Sequence, residues 1–144
     1  MGLIVNGKWV DQWYDNDNGT GKFVRQDSRF RNQISTEEGS TFKPEAGRYH
    51  LYVSLACPWA HRTLIFRQLK QLEDIISVSV VEAEMMENGW EFGENGDPLY
   101  HLDHVYQLYL KADPSYQGRV TVPILWDKKT QKIVNNESNE IIRM

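Results

Sequence analysis

The alternation of apolar and polar residues predicts an α/β core that begins near residue 48. Over 48–54, Tyr49, Leu51 and Val53 occupy every second position, which is typical of a strand. Apolar residues at helical spacing predict a helix over 58–72, and the β-branched run 75–81 predicts a second strand. Because strand–helix–strand crossovers are almost always right-handed, we expect the two strands to be parallel, with the helix on one sheet face.

The second half of the chain predicts the remaining elements of the same domain. The stretch 82–118 predicts a loop, a helix and a loop, and the helix carries Leu102, Val105, Tyr106 and Tyr109 at helical spacing. Two apolar runs, 120–126 and 132–134, flank a polar turn and predict an antiparallel hairpin. Capping-type residues at 136–138 then predict the start of a last helix. The order βαβαββα is the thioredoxin topology, so the pattern predicts an α/β, thioredoxin-like fold.

Residues 1–47 have a different character. They are polar and rich in Asp, Asn and Gly, which are turn formers rather than members of a periodic pattern. We therefore predict an irregular N-terminal extension over 1–47 and a single domain over 48–144. The aromatic residues Phe23 and Phe30, each close to an arginine, are expected to pack the extension onto the domain.

Composition narrows the classes of function. The 144 residues carry a net charge of −4, with 16 basic and 20 acidic side chains interspersed, which argues against a nucleic-acid partner. No run approaches the ~20 apolar residues that a membrane span requires, and the N-terminus lacks the features of a secretory signal. One cysteine cannot form an internal disulfide. We expect a cytoplasmic protein without a membrane partner.

Cys57, the one cysteine, is the candidate nucleophile. It lies between a predicted strand and a helix whose first turn contains Pro58, and N–H groups at a helix start favour a thiolate. His61 and Arg62 would further stabilise the thiolate. The alternative interpretation is that Cys57 is a buried cysteine that acts as a small apolar residue. Ala60 stands where a C-x-x-C motif has its second cysteine. The chemistry is then monothiol, and an external thiol, of which glutathione is the abundant cytosolic candidate, must resolve any mixed disulfide.

Two further dipeptides fit a peptide-like ligand. Val122-Pro123 begins a predicted strand, where a cis peptide would leave the Val122 backbone to pair with an extended peptide; an ordinary trans proline at a sheet edge is the alternative. Glu137-Ser138 offers a carboxylate for an ammonium group, and a hydroxyl and N–H groups for a carboxylate; plain helix capping is the alternative.

The sequence gives no support for a metal site. His101 and His104 are three residues apart on the predicted helix, but neither a cysteine nor a convincing set of carboxylates completes a ligand sphere. We interpret both as surface histidines. The acidic stretch 82–94 is interpreted as a solvated loop.

Six segments together resemble one enzyme family. They are Phe23-Val24-Arg25, Ser28-Arg29-Phe30-Arg31, residues 48–62 with Ala56-Cys57-Pro58-Trp59-Ala60, Gly89-Trp90-Glu91-Phe92, Val120-Thr121-Val122-Pro123-Ile124-Leu125-Trp126 and Asn136-Glu137-Ser138. The chain is similar to the N-terminal, thioredoxin-like domain of glutathionyl-hydroquinone reductases, the xi class of glutathione transferases. The resemblance implies that the sequence ends before the all-helical C-terminal domain, which in the family supplies much of the quinol pocket and the homodimer contacts.

The resemblance also implies a reaction and its residues. Cys57 would take the glutathionyl group from a glutathionyl-hydroquinone as a mixed disulfide, and a second glutathione would release glutathione disulfide. Trp90 and Arg119 would contact glutathione, Val122 would pair with its cysteinyl backbone, and Glu137 with Ser138 would hold its γ-glutamyl end. Pro58 and Pro123 would be structural.

Two alternatives remain open at this stage. An omega-like thioltransferase or dehydroascorbate reductase shares the single thiol but does not predict Gly89-Trp90-Glu91-Phe92 or the long extension. A catalytically silent glutathione-binding domain is the second alternative.

Overall fold

The computed structural model describes residues 2–14 and 26–144. Its strands and helices follow in chain order: β1 Leu3–Val5, β2 Lys8–Val10, β3 Tyr49–Ser54, α1 Pro58–Leu69, β4 Ile76–Val81, α2 Val105–Ala112, β5 Gly118–Arg119, β6 Ile124–Asp127, β7 Lys132–Asn135 and α3 Ser138–Ile141. The segment Phe23-Val24-Arg25, which the sequence predicts to pack on the domain, lies outside the described residues.

A four-stranded mixed sheet forms the centre of the fold. Its strand order is β4-β3-β6-β7. β3 runs parallel to β4, with Leu51 opposite Val78, and antiparallel to β6, with Leu51 opposite Leu125. β6 and β7 form the predicted antiparallel hairpin. The α/β, thioredoxin-like topology predicted from the sequence is thereby confirmed.

The central strand β3 is buried along its whole length, although its sequence alternates between apolar and polar residues. All six residues of β3 are buried, because the strand lies in the middle of the sheet and is covered on both faces. Tyr52 is fully buried and donates its hydroxyl hydrogen to Asp97 Oδ1 at 2.9 Å, and Trp126 Nε1 donates to the Tyr100 hydroxyl at 2.9 Å. Both polar partners come from the loop between β4 and α2, so this loop is packed onto the core.

A buried ion pair joins the start of β3 to the end of β6. Arg48 donates from Nε to Asp127 Oδ1 at 2.9 Å and from Nη2 to Asp127 Oδ2 at 2.6 Å. Burial by itself would raise the pKa of the Asp127 carboxyl, but hydrogen bonds from Arg48, Thr130 and the Lys129 N–H outweigh it, so the pKa lies below its usual value. Arg48 Nη2 also donates to the Thr41 carbonyl at 2.9 Å, which ties the extension to the sheet.

The extension is not irregular throughout, contrary to the sequence prediction. β1 and β2 form an antiparallel hairpin, and Leu3 of β1 pairs with Arg119 of β5. Asn6 and Gly7 form its turn with φ angles of 50° and 74°, which is the geometry that Asn-Gly favours in a two-residue hairpin. Ile4 is fully buried. Phe30 stacks on Tyr116 with ring centroids 5.4 Å apart, as expected of an aromatic residue that packs the extension onto the domain.

Three predicted boundaries are wrong. α1 ends at Leu69, not at residue 72, because the chain turns at Gln71 with a φ of 54°. β6 begins at Ile124, so residues 120–123 lead into the strand instead of forming it. α2 begins at Val105, since the Asp97 carboxylate accepts the Leu102 N–H at 2.9 Å and holds that segment in a turn.

Candidate functional site

Cys57 lies where β3 turns into α1. It is the N-cap residue, with extended backbone angles of φ −102° and ψ 112°, and Pro58 occupies the first helical position as predicted. The Cys57 carbonyl accepts the His61 N–H at 2.9 Å, which closes the first helical turn. The side chain is half-buried, and its thiol lies 3.8 Å from the Val122 carbonyl oxygen, to which it donates. The thiol is therefore placed at a helix start beside an extended backbone.

The thiol opens into a cleft of about 290 Å³. The wall residues come from five parts of the chain: the N-terminal segment, the start of α1, the loop before α2, the segment before β6, and the start of α3 with the two residues before it. They are Trp13, Tyr14, Cys57, Trp59, Trp90, Thr121, Val122, Pro123, Asn136, Glu137 and Ser138. Of the residues predicted to touch glutathione, the cleft thus brings together Cys57, Trp90, Val122, Glu137 and Ser138.

The peptide bond between Val122 and Pro123 is cis, which is one of the two conformations left open by the sequence analysis. The Val122 carbonyl faces the Cys57 thiol, so one backbone acceptor lies directly beside the candidate nucleophile. Pairing of this backbone with a peptide ligand stays a prediction.

Glu137 and Ser138 meet at the start of α3. Glu137 is the N-cap residue, and its Oε2 accepts a hydrogen bond from the Ser28 hydroxyl at 3.1 Å. The buried Ser138 Oγ accepts from Arg62 Nε at 2.9 Å. A carboxylate and a guanidinium therefore flank one end of the cleft, as an amino-acid head group with both charges requires.

Arg119 and Trp90 are placed differently. Trp90 is buried to 8% exposure and lines the cleft. The Arg119 guanidinium points to the N-terminal segment: it donates to the Gln12 carbonyl and, at 2.8 Å, to the Trp13 carbonyl, and it lies 4.3 Å above the Tyr14 ring. In this structure Arg119 supports the wall made by Trp13 and Tyr14 and is not itself a wall residue.

Several cleft residues were not predicted from the sequence. Trp13 and Trp59 keep 59% and 58% of their surface exposed although they line the cleft. Trp59 could have been predicted as a cleft residue because it follows the cysteine by two residues. Trp13 lies in the extension, and no sequence pattern connects it with Cys57. Asn136 is buried, and its Oδ1 has no hydrogen-bond partner among the described residues.

The prediction that His101 and His104 lie on a helix is wrong. His101 lies in a turn with a φ of 55°, and His104 is the N-cap residue of α2, with Nδ1 3.9 Å from a Glu91 carboxylate oxygen. Within residues 2–14 and 26–144, no group of three or more His, Cys, Asp or Glu side chains is arranged to hold a metal ion. No helix in the same residues is long and apolar enough to cross a membrane.

Comparison with known proteins assigns the chain to a family. The family model described as "Glutathione S-transferase, N-terminal domain" matches residues 56–144. The chain is 58% identical to the glutathionyl-hydroquinone reductase YqjG of Escherichia coli, over all of this chain and 47% of that protein. It is 53% identical to the glutathionyl-hydroquinone reductase PcpF of Sphingobium chlorophenolicum, over all of this chain and 46% of that protein. The chain spans less than half the length of these relatives.

Solved structures agree with this assignment. A xi-class glutathione transferase from Natrialba magadii matches with a TM-score of 0.86 and 48% identity, over all of this chain and 44% of that one. The glutathione-bound structure of YqjG from Escherichia coli matches with a TM-score of 0.75 and 59% identity, over 80% of this chain and 41% of that one. The chain belongs to the glutathione S-transferase family, and it corresponds to the N-terminal, thioredoxin-like domain of the xi class.

Proposed function

We propose that this chain binds glutathione and carries the nucleophile of a glutathionyl-hydroquinone reductase. The observation that supports this most strongly is that one cleft holds the Cys57 thiol, the cis Val122–Pro123 peptide and the Glu137-Ser138 helix start. Glutathione has one thiol, a peptide backbone and an amino-acid head group, and these three features of the cleft offer a partner for each. The two relatives named glutathionyl-hydroquinone reductases supply the reaction class.

Each group of glutathione has a partner of suitable chemistry. The cysteinyl backbone would pair with Val122, whose carbonyl already faces the thiol. The γ-glutamyl ammonium group would bind the Glu137 carboxylate. The γ-glutamyl carboxylate would bind the Ser138 hydroxyl, with the Arg62 guanidinium held at 2.9 Å behind it. Trp90, which also lines the cleft, would contact the ligand as well.

Arg119 would need a rearrangement to reach glutathione. Its guanidinium donates to the carbonyls of Gln12 and Trp13. Because Arg119 does not line the cleft, a direct contact with the ligand would require its side chain to move, whereas support of the Trp13 wall requires no movement. We therefore propose that Arg119 acts on glutathione chiefly through the residues it holds.

The chemistry balances with glutathione as the only co-substrate. The Cys57 thiolate attacks the sulfur of the aryl thioether, which forms the S–S bond and breaks the C–S bond. The electron pair of the broken bond passes to the ring carbon, which takes up a proton, and hydroquinone is released. A second glutathione thiolate attacks the mixed disulfide, releases glutathione disulfide and restores Cys57. Hydroquinone and glutathione disulfide are the products, and no metal takes part.

The exposed faces of Trp13 and Trp59 suit the aromatic part of the substrate. Both rings line the cleft that contains the thiol, and a planar quinol gains stacking and burial against such faces. We further propose a homodimer for the whole protein, as the family resemblance implies, and a cytoplasmic location, which the single cysteine supports.

The test is a turnover assay with glutathione and a glutathionyl-hydroquinone. Hydroquinone release by wild type, and its loss in Cys57→Ser, would support the proposal. A wild type that consumes the substrate no faster than the Cys57→Ser variant would overturn it for this chain. Reduction of a glutathionylated peptide, without release of hydroquinone, would instead favour the omega-like thioltransferase.

A further inference from the structure

The N-terminal hairpin and the segment that follows it are connected to two parts of the wall of the thiol cleft. After β2 the chain continues to Trp13 and Tyr14, which line the cleft and whose segment is held by Arg119. Within β2, Trp9 lies on the loop that leads to another wall residue, Trp90. One short N-terminal segment therefore contributes two wall residues directly and contacts the loop that carries a third.

Trp9 makes close contacts with this loop. Its Nε1 donates to the Glu87 carbonyl at 2.8 Å. Its ring lies directly on Gly89, which has a φ of +78°: a Cβ at Gly89 would come within 2.6 Å of the Trp9 ring. Only glycine permits this approach and this backbone conformation together. The ring of Trp9 thus takes the place where any side chain at residue 89 would lie.

The same ring also contacts the far end of the loop. Trp9 stacks on Tyr106, in the first turn of α2, with centroids 5.3 Å apart and planes 20° apart. The neighbouring Val105 N–H donates to the Trp90 carbonyl at 3.0 Å. Trp90 is therefore held between two segments, 87–89 and 105–106, that both rest on Trp9.

We propose that Trp9 is a positioning residue of the glutathione site, which keeps the backbone of residues 87–90 in place so that Trp90 forms its wall of the cleft. The inference rests on the proposed glutathione site but assigns a role to a residue that does not line the cleft. It predicts that Trp9 contributes to the affinity for glutathione, and that the reactivity of the free thiol does not depend on it.

The experiment compares Trp9→Ala and Trp9→Phe with wild type, using the full 144-residue chain. Calorimetric titration gives the Kd for glutathione, and the alkylation rate with iodoacetamide gives the reactivity of Cys57 without ligand. Trp9→Ala is expected to raise Kd about tenfold, which corresponds to ~1.4 kcal/mol, with an alkylation rate unchanged within about twofold. Trp9→Phe keeps the stack on Tyr106 and should recover most of the affinity.

Two further variants separate positioning from general stability. Val78→Ala on the edge strand β4 removes packing against the core at a residue that does not line the cleft, and it should lower the unfolding temperature without a change in Kd. Gly89→Ala forces a methyl group against the Trp9 ring and displaces the same loop with Trp9 intact, so it should raise Kd even if Trp9→Ala does not fold.

The outcomes distinguish the inference from the function on which it rests. If wild type binds glutathione and the Trp9 and Gly89 variants bind it equally well, the inference is wrong and the proposed function stands. If Val78→Ala weakens binding as much as Trp9→Ala, Trp9 acts through stability alone, and the inference is again wrong. If wild type itself does not bind glutathione, the proposed function fails, and the inference fails with it.

Discussion

Replacement of Glu137 by Gln tests the head-group end of the cleft. The substitution keeps the shape of the side chain and an oxygen that can accept the Ser28 hydroxyl hydrogen, now bound at 3.1 Å, but it removes the negative charge. A hydrogen bond to a charged group contributes ~1.5–3 kcal/mol. Because Glu137 is only half-buried, solvent screening places the effect in the lower part of that range, ~1.5–2 kcal/mol. The Kd for glutathione should therefore rise about 10- to 30-fold.

A charge-matched control lies on the same helix. Glu140→Gln removes an identical charge from α3, but the Glu140 carboxylate binds Arg31 and Asn135 and does not line the cleft. It should lower stability and leave the Kd for glutathione unchanged. Titration calorimetry on both variants measures the difference. A change of less than about twofold for Glu137→Gln, or equal changes for both variants, would refute the assignment of the ammonium to Glu137.

Two predictions concern stability and its dependence on pH. Asp127→Asn removes the buried carboxylate of the Arg48 pair and leaves the guanidinium only the more exposed Glu45 carboxylate, at 3.5 Å. It should cost ~3–5 kcal/mol in denaturant unfolding; a loss below ~1 kcal/mol would contradict the importance of the pair. Because the pKa of the Asp127 carboxyl is lowered, the stability it supplies is present above its ordinary pKa and is lost as the pH falls below it, so the variant should lack that part of the acid sensitivity. Burial lowers the pKa of His50, whose ring nitrogens meet the Ser77 and Ser79 hydroxyls at 2.7 and 2.8 Å, to about 4. The unfolded chain therefore binds this proton more readily, and wild type should lose ~3 kcal/mol as the pH falls from ~6.5 to ~4. His50→Gln should reduce that loss, and an unchanged pH profile of the unfolding free energy would show that His50 does not titrate as described.

The central sheet was predictable because its signals are local. Local hydrophobic patterns are sufficient to identify its four strands, in 48–54, in the β-branched run 75–81 and in the two apolar runs on either side of 128–130. The right-handed crossover rule then predicts the parallel pairing. The hairpin β1–β2 also had a local signal in Asn6-Gly7, but the three-residue strands on either side are too short to stand out from the polar extension.

The candidate site was predictable only in part. Cys57, Val122, Glu137 and Ser138 occur beside strand ends and helix starts, and sequence position alone places such residues at one edge of an α/β sheet. Trp13 and Tyr14 are more than forty residues before the cysteine, and only tertiary contacts such as the Arg119 hydrogen bonds bring them to the cleft. Asp97 was missed for the same reason: its carboxylate organises the loop before α2 through hydrogen bonds to backbone N–H groups, which leave no periodic pattern.

Intact mass spectrometry tests the proposed role of Cys57 most directly. The chain is incubated with a glutathionyl-hydroquinone in the absence of free glutathione, beside Cys57→Ser. The mechanism predicts one added glutathionyl group on wild type, one equivalent of hydroquinone released, removal of the adduct by added glutathione, and no adduct on Cys57→Ser. A wild type that stays unmodified, or a variant that gains the same adduct, would contradict the assignment of Cys57 as the nucleophile.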